Sequence, residues 1–452
     1  MSHSTHTASL QLDIKYSQIL KIALPISFAI LVPQFNFITN NIFLGHFDTT
    51  SLAIAGITGV YYLIFAAIGY GLNNGMQSLI SRRAGENRPE EIGKIFNQGV
   101  LISLFIAACG ILITYFIAPW ILRSFIKDAD TAEKAIQFLH IRIWGLIFLY
   151  IYQMRNALLV GIHRSQYLIL GTLAEAISNI LFDYLFIFGH AGLPVLGFNG
   201  AAYASILSEF IGMLTVLIVI HQKGISKEFN ILQDIRFDGE NVRRILSISA
   251  PLIFQHAISI IGWVYFFLLI EAHGAVALAV SNTMRNVFGF FGAFTWAFAA
   301  TSNTMVSNLM GQGKQAQIDI LLKRIVTLST GFSLCIALIL TFFPSLFLGI
   351  YGQGNEFMVL GKSVLKIVSV AMLFMSVSTV YLNAVTGTGN SRITFLIECV
   401  AVCIYGVYVY LTLDYYFLDI SYGWMSEWLY WSILFIPSYW YMKSSRWKNK
   451  KI

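Results

Sequence analysis

Charge is what this sequence has least of. Asp, Glu, Lys and Arg make up 11% of its 452 residues, against roughly 25% in a soluble globular chain. An ordinary core cannot absorb so much apolar surface, so a soluble fold is excluded. Cysteine is scarce too. Cys109, Cys335, Cys399 and Cys403 all lie inside apolar runs, and no disulfide framework is implied. Cys399 and Cys403 stand one helical turn apart, which suits helix packing better than a metal or redox pair. The opening "MSHSTHTASLQLDIKYSQ" has neither the basic start nor the small-residue cleavage site of a secretory signal. The first hydrophobic segment is therefore expected to stay in the mature protein. Also missing are HExxH, a GxSxG elbow and any His/Cys set at metal-ligand spacing, so no enzyme is expected.

What is present is apolar length. Hydrophobic residues reach 57%, aromatics 15% and mean hydropathy +0.70. Lipid can take up that surface, and rings suit membrane–water interfaces. An all-α polytopic membrane protein follows, because β-barrel strands alternate polar and apolar and give a much weaker hydropathy signal. A crossing needs roughly 20 apolar residues. Reading between charged or Gly/Pro-rich breaks gives twelve segments: 19–44, 51–80, 93–117, 136–160, 166–188, 197–221, 245–271, 276–307, 323–347, 360–385, 392–413 and 420–442.

Basic residues alternate with these segments. Arg82, Arg83, Arg88 and Lys94 follow segment 2, and Lys223, Lys227, Arg236, Arg243 and Arg244 follow segment 6. Lys314, Lys323 and Arg324 follow segment 8, and Lys443, Arg446, Lys448, Lys450 and Lys451 follow segment 12. The opposite loops are nearly bare, apart from 118–135, where acids offset the bases. By the positive-inside rule both termini are expected in the cytoplasm, in a bacterial cytoplasmic (plasma) membrane. The net charge of +7 is then topological, and no nucleic-acid partner is expected.

The chain repeats itself. "ILKIALPISF" (19–28) and "ILSISAPLIF" (245–254) share five of ten positions, with the proline in the same place. Ser81/Ser307 and Gly85/Gly311 keep the same offset along the chain, and "NALLVGIHRS" (156–165) parallels "NAVTGTGNS" (383–391). Each unit holds six crossings, and an even number returns the chain to its starting side. The expected architecture is two parallel six-helix repeats, forming two lobes around a central cleft. Residues 1–221 form the N-lobe, 222–244 a charged cytoplasmic linker and 245–452 the C-lobe. Rocking of one lobe on the other would expose the cleft to each side in turn.

The chain resembles the multidrug and toxic-compound extrusion (MATE) family over its whole length. The resemblance rests on the "LP" entry to segment 1, "IFLGHFDTTSLAIAG", "GLNNGMQSLISRRAGE", "NILFDYLFIFG" and "GFNGAAYAS", in that order. It implies export of organic cations or other amphipathic small molecules, driven by entry of sodium or protons, with no cofactor beyond that ion. A monomer is expected.

A charge at the bilayer centre costs about 2.5–3.5 kcal/mol on insertion scales and asks for a reason. Glu175, Asn179 and Asp183 recur every four residues and share one helical stripe. Such oxygens suit a hard cation, and the carboxylate suits a proton equally; a polar seam between helices is the structural alternative. The resemblance implies an N-lobe cation site of Asp183 and Asn179, a hydroxyl at Ser205, and Asn40, where the family usually has aspartate. An amide there can ligate sodium but cannot exchange a proton near neutral pH. The C-lobe has its own polar set, Glu271, Arg285, Glu398 and Glu427, with His256 nearby. Arg285 should not stand unpaired, and Glu398 and Glu427 are its expected partners, in a network either structural or functional. Pro25 lies near the start of segment 1, and Pro33 inside it should bend it. Gln34, Asn36, Thr39, Asn40 and Asn41 then suggest a cleft-facing surface. Tyr61, Tyr62, Met284, Phe288 and Met305 are expected to line the cleft as adaptable contacts. The rival function is a lipid-linked oligosaccharide flippase of the same plan. Its pyrophosphate cargo needs several basic residues, and only Arg285 and Arg155 stand out within the segments.

Overall fold

The computed structural model describes residues 10–450 apart from 48, 127, 234, 353 and 445. The described residues are almost wholly helical, with no strand among them. In the first half the long helices are α1 (Tyr16–Phe47), α2 (Thr49–Gly85), α3 (Pro89–Phe116), the broken α4, α5 (Leu168–Phe188) and α6 (Gly197–Gln222). The two pieces of α4, Ala129–Arg142 and Gly145–Gly161, meet at 47°. The second half holds α7 (Gly239–Glu271), α8 (Ala275–Gly311), α9 (Ile318–Phe342), α10 (Asn355–Gly387), α11 (Ser391–Val409) and α12 (Ser426–Lys443).

Among the described residues nine helices are long and apolar enough to cross a membrane, ten with the bent α4. The two that fall short have visible reasons. α8 is rich in Ser, Thr and Asn, and Thr301, Ser302, Asn303, Thr304, Ser307 and Asn308 are all buried, so protein rather than lipid meets them. α12 carries Trp428, Tyr430, Trp431, Tyr439, Trp440 and Tyr441, amphipathic rings that suit a membrane interface. Both lie in the bundle, and the twelve-helix architecture is the one the chain adopts. α1 stays helical through Pro25 and Pro33. Neither proline has an N–H to donate, so the helix loses a backbone bond at each. Pro251, the repeat counterpart of Pro25, sits inside α7 in the same way.

The repetition extends to packing. α1 lies on α5 as α7 does on α11, and α2 on α4 as α8 on α10. Likewise α3 lies on α4 as α9 does on α10, and α5 on α6 as α11 on α12. The halves meet where α2 touches α7 and α8, and where α1 touches α8. At that seam the hydrogen bonds are reciprocal. Gln77 Nε2 donates to the Ala300 carbonyl (2.8 Å), and Asn303 Nδ2 donates to the Asn74 carbonyl (3.2 Å). Gln77 and Asn303 are counterparts in the repeat, as are Asn74 and Ala300. The glycines do the same: a Cβ at Gly85 would stand 2.1 Å from the Asn308 carbonyl oxygen, and one at Gly311 would stand 2.3 Å from that of Arg82. No side chain fits either place, so glycine lets the two backbones touch.

A strap made of residues 10–15 crosses the same end. Leu12 N–H donates to Asn308 Oδ1 (3.0 Å), Asn308 Nδ2 donates to the Leu10 carbonyl (3.0 Å), and Arg324 Nη1 to the Ile14 carbonyl (2.8 Å). One apolar core runs through both halves here, joining Ile22, Leu79 and Met154 to Ile245, Met305 and Leu309. Toward the other end the cores are separate: Phe65 and Tyr150 belong to one, Phe266, Met284 and Trp424 to another. Among the described residues the halves are thus closed on each other at the basic-loop end, and their apolar cores part toward the opposite one.

Residues 222–244 fold back on the first half. Leu232 N–H donates to Asn97 Oδ1 (2.9 Å), and Gln98 Nε2 donates to the Arg236 carbonyl (2.7 Å). Asp238 caps α7 by accepting from the N–H groups of Glu240 (3.0 Å) and Asn241 (3.2 Å). The Asn241 N–H foremost holds its carboxyl below the ordinary carboxylate range. The offset charges of 118–135 pair with each other, Arg123 with Glu133 at 2.7 Å and Lys134 with Asp130 at 2.5 Å.

Candidate functional site

α5 brings Asn179 and Asp183 against α1. Asp183 is 0% exposed and Asn179 is 3% exposed. The Asn40 carboxamide faces three acceptors: the Asn36 carbonyl (3.1 Å), Asn179 Oδ1 (2.9 Å) and the Asp183 carboxylate. We assign its nitrogen to that side, since an oxygen there would face only other oxygens. Asn40 therefore acts as a donor that ties α1 to α5. It satisfies one carboxylate oxygen, while Asp183 Oδ1 is buried with no partner among the described residues. A buried, unpaired carboxylate oxygen is costly to retain, and a proton or cation would satisfy it.

The other expected members stand apart. Ser205 on α6 accepts from Ser208 Oγ through its backbone carbonyl (2.9 Å) and makes no hydrogen bond to Asp183 or Asn179. Glu175 lies against α6, where a Cβ at Gly212 would come within 3.1 Å of Glu175 Oε2. Glu209, one turn earlier on α6, is gripped by Arg142 from α4: Nη1 to Oε2 is 3.0 Å and Nη2 to Oε1 is 2.5 Å. The guanidinium rests over the Tyr62 ring at 3.9 Å, and a Cβ at Gly145 would lie 2.3 Å from Glu209 Oε2. This buried pair escaped the sequence reading, which counted only Arg285 and Arg155 among basic residues in the spans. The signal was there, since Arg142 and Glu209 are charges inside apolar segments. Arg155 itself is 0% exposed and donates to the Met213 carbonyl.

In the second half the expected network divides. Glu398 accepts from Ser259 Oγ (2.5 Å), from Gln255 Nε2 (3.2 Å) and from the Tyr430 hydroxyl (2.5 Å). Glu427 is 0% exposed; its Oε2 accepts from Trp431 Nε1 (3.0 Å), and its Oε1 is buried with no partner among the described residues. Arg285 pairs with neither. Its side chain is exposed and lies 5.7 Å from the Phe267 ring, because Glu398 and Glu427 turn toward α7 and α12 partners instead. Glu271 is exposed at the end of α7. His256 meets Asn74 Nδ2 at 3.2 Å across the seam. Among the expected cleft residues, Met284, Phe288 and Met305 are buried core, Tyr62 stacks on Arg142, and the Tyr61 hydroxyl meets Thr114 Oγ1 at 2.9 Å. The Asn41 side chain lies outside the described residues.

Two like six-helix halves, closed on each other at one end with their cores parted at the other, and each burying an acid with one oxygen unpaired among the described residues, define a two-lobe membrane transporter. The pattern of the MatE family fits residues 25–185 and again 251–411, two stretches set off by the same interval as the internal echo. The chain belongs to this family, the MATE transporters. It is similar to the probable multidrug resistance protein NorM of Thermotoga maritima, 22% identical over 391 residues, covering 85% of this chain and 82% of the relative. The probable multidrug resistance protein NorM of Synechocystis is 21% identical over 395 residues, with 85% and 84% covered. In fold it is similar to the outward-facing conformation of a multidrug resistance MATE family transporter of the MOP superfamily, with TM-score 0.88, 16% identity and 98% of both chains covered. A MOP superfamily transporter from Pyrococcus furiosus gives 0.87 at 16% identity, with 97% of this chain and 98% of that one covered.

Proposed function

We propose that the protein exports organic cations or other amphipathic compounds by alternating access, driven by entry of a cation bound at Asp183. The observation that carries this is the fully buried Asp183 carboxylate with one oxygen unpaired. The multidrug naming of the NorM relatives supports the cargo class. In this reading residues 1–221 and 245–452 rock as lobes, 222–244 travels with the first, and both termini face the cytoplasm of a bacterial cell. One chain is the working unit. The parted end then faces outward, so Asp183 loads from outside.

Of the two coupling ions, the arrangement favours the proton. Asn40 turns an N–H toward Asp183, and a donor repels a metal ion. To ligate sodium, Asn40 would have to turn over and give up its three contacts. With an amide at residue 40, Asp183 holds the only proton that this trio can exchange near neutral pH. The flippase reading gains nothing from the basic residues: Arg142 is neutralised by Glu209, Arg155 is sealed in the core, and Arg285 is a single exposed cation.

The test is efflux of a fluorescent organic cation from proteoliposomes, with pH and sodium gradients imposed separately. The parent should respond to the pH gradient, and Asp183→Asn should insert normally yet respond to neither. A response to sodium alone would overturn the choice of ion, and full gradient-driven efflux by Asp183→Asn would overturn the site.

A further inference from the structure

At the basic-loop end, between α7, the first turn of α11 and the segment 446–450, lies a cavity of about 540 Å³. Arg244, Ser247, Asn390, Ser391, Arg392 and Lys450 line it. We propose that it binds a phosphate group, as the headgroup of an anionic phospholipid or as a free anion.

The internal repeat supplies the control. In the first half the equivalent place is shut, because Ser165 Oγ donates to the Ile22 carbonyl (3.2 Å). Their counterparts in the second half are Ser391 and Ile248, and that bond is not made. Ser391 is only 2% exposed, faces the cavity, and has no hydrogen-bond partner among the described residues. The charges differ as well. Where the first half has Gln18 and Gln166, the second has Arg244 and Arg392, and where the first has the exposed Lys21 and the half-buried Arg164, the second has Ser247 and Asn390. Arg164 is already paired with Glu228 at 2.7 Å. The same structural unit is therefore closed in one copy and open in the other, and the cations around it stand at different places.

The electrostatics suit a phosphate. Arg392 has no acidic partner among the described residues, and Arg244 touches one carboxylate, the exposed Glu240 (3.1 Å). Lys450 Nζ approaches Asn390 Oδ1 (3.4 Å). Asn390 precedes α11 without capping it by its side chain, so the first-turn N–H groups add positive potential. Depth matters too: the cavity is level with the first turns of two spans, where phospholipid headgroups lie, and basic pockets between such helices hold them. A ligand there would also bear on the closed end. Arg82, from the first half, donates to the Lys450 carbonyl (3.3 Å) and the Thr388 carbonyl (3.2 Å), directly behind the cavity wall.

The test titrates the purified full chain with three probes at constant ionic strength and follows the thermal unfolding midpoint. The probes are short-chain phosphatidylglycerol, short-chain phosphatidylcholine and inorganic phosphate. Phosphatidylglycerol or inorganic phosphate should stabilise the parent, and phosphatidylcholine should not. The double variant R244Q/R392Q, which restores the first half's glutamines, should weaken the apparent affinity about thirtyfold. R243Q, an exposed neighbour outside the cavity, should leave it unchanged. If the double variant does not fold, R392Q alone on its exposed side chain should give about a fivefold loss. A variant-sensitive response to phosphatidylglycerol alone identifies a lipid site, and one to inorganic phosphate as well identifies a free-anion site. Equal responses in parent and variant, or no response to either phosphate probe, would overturn the proposal.

Discussion

The two halves share a backbone plan but differ in what they bury. In the first, Asn40, Asn179 and Asp183 meet between α1 and α5. At the equivalent places in the second stand Phe266, Tyr405 and Val409. All three are packed away, at 0%, 3% and 0% exposure, with the Phe266 and Tyr405 rings 6.0 Å apart. The second half keeps its buried acids, Glu398 and Glu427, elsewhere. Glu398, Ser259 and Gln255 meet where the first half has Thr172, Pro33 and Ala29. Duplication thus accounts for the frame, and each copy has acquired its own chemistry: in the first, an acid set beside two amides with one oxygen unpaired; in the second, an acid fully dressed with donors and a further buried acid, Glu427, whose Oε1 has no partner among the described residues. An acid with three donors has its charge already satisfied, which suits a structural tie. An acid with one free oxygen has a reason to bind something.

Changes at the shared frame should affect both halves alike, and changes at the unshared sites should not. The largest effect is expected from locking the seam. The Ser78 and Ser307 hydroxyls are 3.4 Å apart, so S78C/S307C, in a background lacking the four free cysteines, should form a disulfide under mild oxidant. Transport should stop completely and return on reduction; oxidised protein that still transports would break the view of this end as one that must open. Next comes the pair present only in the first half. Arg142→Gln leaves Glu209 buried without its cation and should cost about 3–5 kcal/mol of stability, read as a fall in unfolding midpoint. Smallest are the reciprocal glycines. Gly85→Ala and Gly311→Ala each push a methyl into a carbonyl of the other half and should cost about 1–3 kcal/mol. The two costs should be similar, and a large inequality would show that the seam is not as symmetric as its hydrogen bonds.

Much of this was legible in the sequence because it depends on period and offset. The echo of "ILKIALPISF" in "ILSISAPLIF" foretold the repeated packing, since equal segments fold into equal units. The four-residue spacing of Asn179 and Asp183 puts both on one face of α5, while Asn40 beside them comes only from the family resemblance, not from spacing. What escaped was pairing across helices. Arg142 and Glu209 both lie inside apolar segments, but 67 residues separate them, and nothing in either segment alone shows that the two face each other. Arg285 was expected to seek an acid, but hydropathy says nothing of which face of α8 it occupies. Glu175 fits the stripe of Asp183 by spacing, yet the two are two helical turns apart, and Glu175 lies on Gly212 instead. The cationic cavity joins residues from three distant stretches, so no local pattern announces it.

The most direct comparison places the two acids side by side. Efflux driven by an imposed pH gradient would be measured in proteoliposomes for Asp183→Asn and Glu398→Gln at matched insertion. Coupling confined to the first half predicts no gradient response in Asp183→Asn and a nearly intact one in Glu398→Gln. An intact response in Asp183→Asn, with loss in Glu398→Gln, would contradict it and move the driving ion to the other lobe.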